Sequence, residues 1–364
     1  MRICLLEPYD TGSHHAWLQG YKENSRHNIY PLTLEGRFWK WRMHGGAVTL
    51  AREYRHKDSR PDLLLATDML DLSAFLALSR DVTNSLPAAI YMHENQLAYP
   101  IRPGETRDLH YGFINYVSML CADQVLFNSQ YHLDSWFEEL PRLLKHFPDY
   151  NELDTVDDLR AKSQVLSLGV DLQALDAHRP RTSTEGPAII LWNHRWEYDK
   201  NPEAFLEALY ALDEAGLDFR VAILGENFAQ LPPEFARARR RLRSHIVQFG
   251  YVDGFAEYAR WLWRADIVVS TAIQEFFGAS IAEAIYSGCL PILPERLNYL
   301  QFIPEAYRHT CLYGDQEEFV SLLKQAIENV DCHRDHSLRH MVTPYDWSRM
   351  APEYDRCMEH LAAM

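Results

Sequence analysis

Long apolar runs are missing from this chain of 364 residues, and no stretch reaches the length of a membrane span. The opening MRICLLE has too short an apolar run for a signal peptide and meets an acidic residue at once. Cysteine is sparse. Cys4, Cys121, Cys289, Cys311, Cys332 and Cys357 stand singly, with no C-x-x-C spacing, so neither a disulfide framework nor a zinc site is suggested and reduced, cytoplasmic thiols are expected. Positive charge is the minority sign. Thirty-six Lys and Arg face 51 Asp and Glu, a net charge of −15, which argues against broad nonspecific nucleic-acid binding but leaves room for a local basic face. No G-x-G-x-x-G is present, so a dinucleotide site is unsupported. Asp68 and Asp71 lack the D-x-D spacing of a metal-binding pair, and Asp71 reads as a helix cap. Low-complexity tracts are absent, as are repeats beyond two similar α/β halves.

What is present suits a folded chain of two ordinary domains, with 47% hydrophobic and 24% charged residues. The most informative stretch is Gln274 to Pro294, QEFFGASIAEAIYSGCLPILP. An apolar strand precedes it (Ala265 to Ser270), a helix spans Ser280 to Ser287, Gly288 stops that helix, and Leu290 to Leu293 is the next strand. The result is a βαβ crossover with Glu275 in its loop and Glu283 in its helix. A helix N-terminus at Gly278-Ala279-Ser280 offers backbone N–H groups to a diphosphate. Glu275 can reach sugar hydroxyls, and an ionised Glu283 can accept both hydroxyls of a ribose. Two solvated glutamates on an ordinary crossover would give the same spacing; the FGAS turn, the SG stop and the LPIL strand favour the nucleotide-sugar reading.

Other strands end in polar residues. Ile3 to Leu6 runs into EPYDTGSHH, where Gly12 permits a tight turn and Ser13 is a candidate N-cap; a ligand loop and a plain βα turn fit equally. Ala88 to Met92 ends in His93-Glu94-Asn95-Gln96, at the carboxyl end of a parallel strand where α/β sites sit. Phe38-Trp39-Lys40-Trp41-Arg42 interleaves aromatics and bases without core-helix spacing; it reads as a base-stacking segment or as a surface loop pinned by half-buried tryptophans. After the strand Ala188 to Asn193, Arg195 and Lys200 stand five apart before a helix start, suited to neutralising a diphosphate leaving group. Gly225 opens the loop after the strand Phe219 to Leu224. The arginine run from Arg237 to Arg243 reads as a solvated helix face. Residues 178–187 form the natural linker, giving domains at 1–178 and 187–340 and a terminal helix at 345–364 that crosses back to the first.

Glu275, Phe277, Gly278, Glu283, Ala284, Gly288 and Pro291 resemble the E-x7-E segment of retaining family-4 glycosyltransferases. Arg195 and Lys200 resemble that family's G-R-x-x-x-x-K element, with His194 in place of the glycine. EPYDTGSH, FWKWR, YMHENQLAYP and FNS together are similar to the tRNA-queuosine α-mannosyltransferases, across nearly the whole chain. The resemblance implies a GT-B fold, two Rossmann-like domains facing a central cleft. It implies transfer of mannose from GDP-mannose to queuosine at the wobble position of tRNA-Asp, with retention, no metal and no further cofactor. Carried onto this sequence, Arg195 and Lys200 hold the diphosphate with Gly278, Ala279 and Ser280, Gly12 and Gly225 lie along the donor, and Glu283 binds the ribose. Glu275 orients the sugar, and His93 stabilises charge or receives the acceptor proton. Trp39, Trp41, Arg42, Glu94, Asn95 and Gln96 are acceptor-side candidates. One alternative keeps the chemistry on a lipid or polysaccharide acceptor; it calls for an amphipathic basic face on the first domain, and none is read in the sequence. The other is a non-catalytic sugar-nucleotide or tRNA-binding module, which would not require Glu275, Arg195 or Lys200.

Overall fold

A computed structural model describes residues 1–57, 60–101, 104–180, 186–225, 232–334 and 338–364. Two compact units divide the chain, 1–170 with 347–364 and 171–346. The division thus falls at Val170/Asp171, ahead of the linker expected at 178–187, part of which lies outside the described residues.

In the first unit, strands β1 (Arg2–Asp10), β2 (Asn28–Glu35), β3 (Leu63–Thr67), β4 (Ala88–Met92), β5 (Gln124–Phe127) and β6 (Ser163–Val165) form one sheet in the order β2-β1-β3-β4-β5-β6. All its pairings are parallel. Buried on both faces, the inner strands read as continuous apolar runs, LLLAT and AAIYM, instead of alternating. Pro31 is tolerated because β2 is an edge strand. Strand β1 continues through Glu7 to Asp10, with a register shift there, where a loop was expected. Ser13 is not the cap of the following helix: that helix spans Gly12–Asn24, with Gly12 at φ +51° and Thr11 at the cap position. Asp71 does cap, accepting from the Ala74 N–H at 2.9 Å.

The helix Trp347–Ala362 belongs to this first unit. The Trp347 indole fills the space over Gly20 and Gly169, where any Cβ would collide with it. Tyr354 accepts from Trp17 Nε1 at 3.0 Å. The Asp355 carboxylate takes the Tyr21 hydroxyl at 3.1 Å and the Arg26 N–H at 3.0 Å.

In the second unit, β7 (Ala188–Asn193), β8 (Phe219–Leu224), β9 (Ile246–Phe249), β10 (Ile267–Val269), β11 (Leu290–Pro294) and β12 (Leu312–Tyr313) lie in the order β12-β11-β10-β7-β8-β9, again all parallel. Counted from β7, this is the 3-2-1-4-5-6 order of dinucleotide-binding sheets. The chain reverses direction across the sheet between β7 and β10. Ligands bind outside the carboxyl ends of strands at such a switch point.

Candidate active site

The switch point of the second unit brings Lys200 and Glu275 together. Lys200 follows β7, and Glu275 follows β10. Lys200 is buried; its Nζ lies 3.1 Å from Glu275 Oε2 and 3.0 Å from Asp199 Oδ2, and donates to the Gln274 carbonyl at 3.0 Å. Burial opposes its charge, but Glu275 and Asp199 outweigh burial and hold its pKa above the ordinary value. The two loops are cross-braced, since Thr271 Oγ1 donates to the Lys200 carbonyl at 2.8 Å and the Ile273 N–H to the Asp199 carbonyl at 2.7 Å.

Gly278, at φ +96°, then turns the chain into the helix Ala279–Tyr286. A Cβ there would press on Tyr299 at 3.2 Å and Phe302 at 3.3 Å, so only glycine suits both the left-handed backbone and the space. The first-turn amides of Ala279 and Ser280 have no preceding carbonyls within the helix. One turn on, Glu283 Oε2 accepts from the Tyr258 hydroxyl at 2.7 Å. Asn193, the last residue of β7, donates to Tyr258 at 3.2 Å and to the Ser280 carbonyl at 2.9 Å. Burial pushes the Glu283 carboxyl up to about 7; the Tyr258 hydrogen bond works against the rise and Asp171 adds to it.

Arg195 shares the Lys200 loop. Its side chain is half exposed and pairs with Glu197 at 3.3 Å. Gly225 packs against that loop, where a Cβ would collide with the His194 carbonyl oxygen. Most of the loop that Gly225 opens, residues 226–231, lies outside the described residues. His194, standing where the related element has glycine, is buried, and burial with the nearby Lys200 drives it down to about 3, so it is neutral.

In the first unit a second polar cluster gathers at the carboxyl ends of β1, β3, β4 and β5. His93 is buried, with its ring 4.3 Å from that of His14, 4.7 Å from that of Trp17 and 4.9 Å from that of Tyr91. Its N–H donates to Asp68 Oδ1 at 2.8 Å, and Asn128 Nδ2 donates to its carbonyl at 3.0 Å. Its Nε2 and the second oxygen of Asp68 have no partner among the described residues. Burial and the neighbouring His14 and His132 keep His93 neutral. His14 behaves oppositely: burial opposes its charge, yet Glu7, 2.9 Å away, and Asp68 lift it to about 9. Asp68 is pushed up to about 7 by burial, against the pull of His14. Glu7, His14 and His93 also place one ligand atom each within 4.8 Å of one another, a grouping able to hold a cation.

The acceptor-side candidates separate. Asn95 serves its own loop, accepting from the Leu97 N–H at 2.9 Å and donating to Ser135 at 3.2 Å. Glu94 and Gln96 are partly exposed and bond each other at 3.2 Å. Phe38 to Arg42 is not a loop: a helix spans Trp39–Arg55. Trp39 packs on Tyr111 at 4.9 Å, Arg42 donates to the Glu35 carbonyl at 3.0 Å, and Trp41 is 64% exposed. The outer side of this helix carries Arg52 and Arg55, the latter paired with Asp81 at 3.0 Å, with the exposed His56 just past its end, a basic patch that was not read in the sequence. Gly12 lies in this unit, exposed at the start of its helix. Glu7, His14, Asp68, Asn193, Asp199 and Tyr258 were not singled out as site residues. Asp68 and Asn193 stand at or just beyond strand carboxyl ends, the one signal that would have found them.

The fold is that of the GT-B glycosyltransferases. Over the whole chain, sucrose-phosphate synthase from Thermosynechococcus elongatus superposes with a TM-score of 0.71 at 13% identity, covering 100% of this chain and 99% of that one. Anabaena Alr3699/HepE in complex with UDP gives 0.69 at 12% identity, covering 99% and 100%. A group 1 glycosyl transferase model matches residues 175–340, and a model for the N-terminal region of tRNA-queuosine alpha-mannosyltransferase matches residues 2–170. The Drosophila melanogaster tRNA-queuosine alpha-mannosyltransferase is 34% identical over 320 residues, 86% of this chain and 83% of that one. A GDP-mannose-dependent alpha-(1-6)-phosphatidylinositol dimannoside mannosyltransferase of Mycobacterium tuberculosis (strain ATCC 25177 / H37Ra) is 27% identical over 191 residues, 50% of this chain and 49% of that one. The chain belongs to the tRNA-queuosine α-mannosyltransferase family. No described helix is long and apolar enough to cross a membrane.

Proposed function

We propose that this protein transfers mannose from GDP-mannose to a cyclopentene hydroxyl of queuosine at the wobble position of tRNA-Asp, with retention and without a metal. The observation that carries the reading is the 34% identity to the fly enzyme, which extends over most of both chains. The buried Lys200–Glu275 pair at the switch point supports it in chemistry. GDP as the nucleotide draws on the mycobacterial relative, whose name states that dependence.

In this reading Arg195, Lys200 and the amides following Gly278 hold the diphosphate, where negative charge grows as the sugar leaves. Glu283 accepts from the ribose and Glu275 orients the mannose, while Gly12 and Gly225 let the backbone approach the donor. The bond from the anomeric carbon to the diphosphate oxygen breaks, the acceptor oxygen bonds to the same face, and the acceptor proton passes to the departing phosphate. His93, neutral and with Nε2 unpartnered among the described residues, is assigned the hydrogen bond to the acceptor hydroxyl. Glu94, Gln96, Trp41 and Arg42 contact the acceptor; Asn95 and Trp39 shape the surface beneath it.

Mass spectrometry of nucleosides from queuosine-containing tRNA incubated with GDP-mannose and the protein tests this. A hexose-sized gain on queuosine, undiminished by EDTA, is expected. No gain on any tRNA refutes the acceptor, and activity restored only by a divalent ion refutes the metal-free chemistry. The basic face of the helix Trp39–Arg55 favours one second reading, a lipid acceptor, which hexose transfer to anionic lipid but not to tRNA would establish.

A further inference from the structure

In a chain of net charge −15, residues 37–57 carry six Lys or Arg against a single Glu. Most of this stretch is the helix Trp39–Arg55, whose inner side (Met43, Ala47, Leu50 and Tyr54 among others) is buried. Trp41 heads the outer side. Its indole lies along its own helix, against Gly45, where a Cβ would meet ring atoms at 2.8 Å. The absent side chain lets the ring lie close to the helix while staying 64% exposed. Phe38, just ahead, is 79% exposed and held at φ +53°, a left-handed backbone that non-glycine residues rarely adopt. One turn beyond Trp41, His44 stacks on His110 with centroids 4.6 Å apart and planes 18° from parallel, both rings exposed. Further along, Val48, Ala51, Arg52, Arg55, His56 and Leu78 line a groove of about 460 Å³, where Arg55 pairs with the exposed Asp81 at 3.0 Å, a partner that a phosphate would have to replace.

We propose that this helix face is the seat of a single-stranded RNA loop: Phe38, Trp41 and the His44–His110 stack receive unstacked bases, and Arg52 and Arg55 hold the phosphates of the adjoining strand. This rests on tRNA being the acceptor and says where it docks. Exposed flat rings beside cationic side chains are the two elements of sequence-tolerant single-strand binding. A local excess of positive charge on an acidic protein confines a polyanion to this face. The face is also continuous with the His93 cluster. Tyr9 meets His14 edge-on at 5.9 Å and packs with Trp39 onto the small core of Met43, Met69, Tyr111 and Ile114 beneath the stripe. A loop seated on the rings therefore borders the residues that meet the acceptor hydroxyl.

The test is binding of labelled queuosine-containing tRNA to the full chain across a salt series, with GDP affinity measured beside it. Trp41→Ala is expected to weaken tRNA binding about 5- to 100-fold, Trp41→Phe to restore most of it, and GDP affinity to stay unchanged. Arg52→Gln with Arg55→Gln is expected to flatten the dependence of log affinity on log salt by about 1.4, two phosphate contacts at ~0.7 each. If the wild type binds and modifies tRNA and these variants bind it equally well, this face is overturned and the proposed function stands. If the variants instead lose binding to phosphatidylcholine–phosphatidylserine vesicles while tRNA binding is unchanged, the face is a membrane surface and the inference is wrong. A wild type that modifies no tRNA removes the proposed function, and this inference with it.

Discussion

Replacing Glu283 with glutamine is expected to stabilise the protein while damaging donor binding, and the pH dependence of the two effects separates them. Burial raises this carboxyl from its ordinary 4.5 to about 7. The folded chain therefore binds the proton more tightly than the unfolded chain. Stability falls as pH rises from about 4.5, and the whole loss is present above about 7. That gap corresponds to about 3 kcal/mol, with under about 1 kcal/mol of it felt at pH 5. Glutamine keeps the shape, and its amide oxygen still accepts from the Tyr258 hydroxyl, but it carries no charge to desolvate. Unfolding by denaturant at a series of pH values should show Glu283→Gln gaining up to about 3 kcal/mol on the wild type at pH 8 and little at pH 5. Asp68, also raised to about 7, is present in both proteins and cancels in the difference. Donor affinity of the wild type should rise as pH climbs through 7 and the ribose-binding carboxylate ionises, whereas the variant should be weak and flat. A gain independent of pH, or a wild type more stable at pH 8, would refute the reasoning.

Lys200→Met should cost both turnover and about 3–5 kcal/mol of stability, because it strands the buried carboxylate of Asp199 and the partly buried one of Glu275, whereas the half-exposed Arg195→Ala should lose turnover about 100-fold with stability changed by less than about 0.5 kcal/mol; kcat and thermal unfolding of both variants check the contrast, and an equally unstable Arg195→Ala would contradict it. Glu7→Gln removes the partner that lifts His14 to about 9. The stability from that pair is fully present below about 6.5 and lost as pH rises through 9, a span of about 3 kcal/mol. The variant should lose this alkaline dependence, and an NMR titration of His14 should move well below 9; an unmoved titration would show that Glu7 is not the cause.

The cluster proposed to hold the donor was legible as a cluster because it is local. Glu275, Gly278 and Glu283 lie within nine residues, on a loop, a turn and a helix whose start and stop are written in glycines. Lys200 was readable for the same reason, as a base just ahead of a helix start. Asn193 and Tyr258 were not, since they reach Glu283 only through the sheet order that sets β7 beside β10. Asp68 was passed over because Asp71, three residues on, accounted for the acidic pair as a cap. The segment from Phe38 to Arg42 misled in another way. The apolar spacing of its helix begins only at Met43, and its first turn carries exposed aromatics, so periodicity placed a loop where the backbone is helical. GDP, mannose and queuosine were legible only through resemblance, as no spacing encodes a base or a sugar.

The helix Trp347–Ala362 has a bearing on how the protein is made. Trp347 fills the space over Gly20 and Gly169, and Asp355 takes the Tyr21 hydroxyl and the Arg26 N–H, so the amino-terminal unit is complete only once this helix has left the ribosome. Between the two parts come residues 171–346, at ~5–20 residues per second a delay of roughly ten to thirty seconds. During that interval all six strands of the first unit are already made, but the apolar seat of Trp347 stays uncovered. A nascent chain stalled before residue 347 would present that open seat to chaperones.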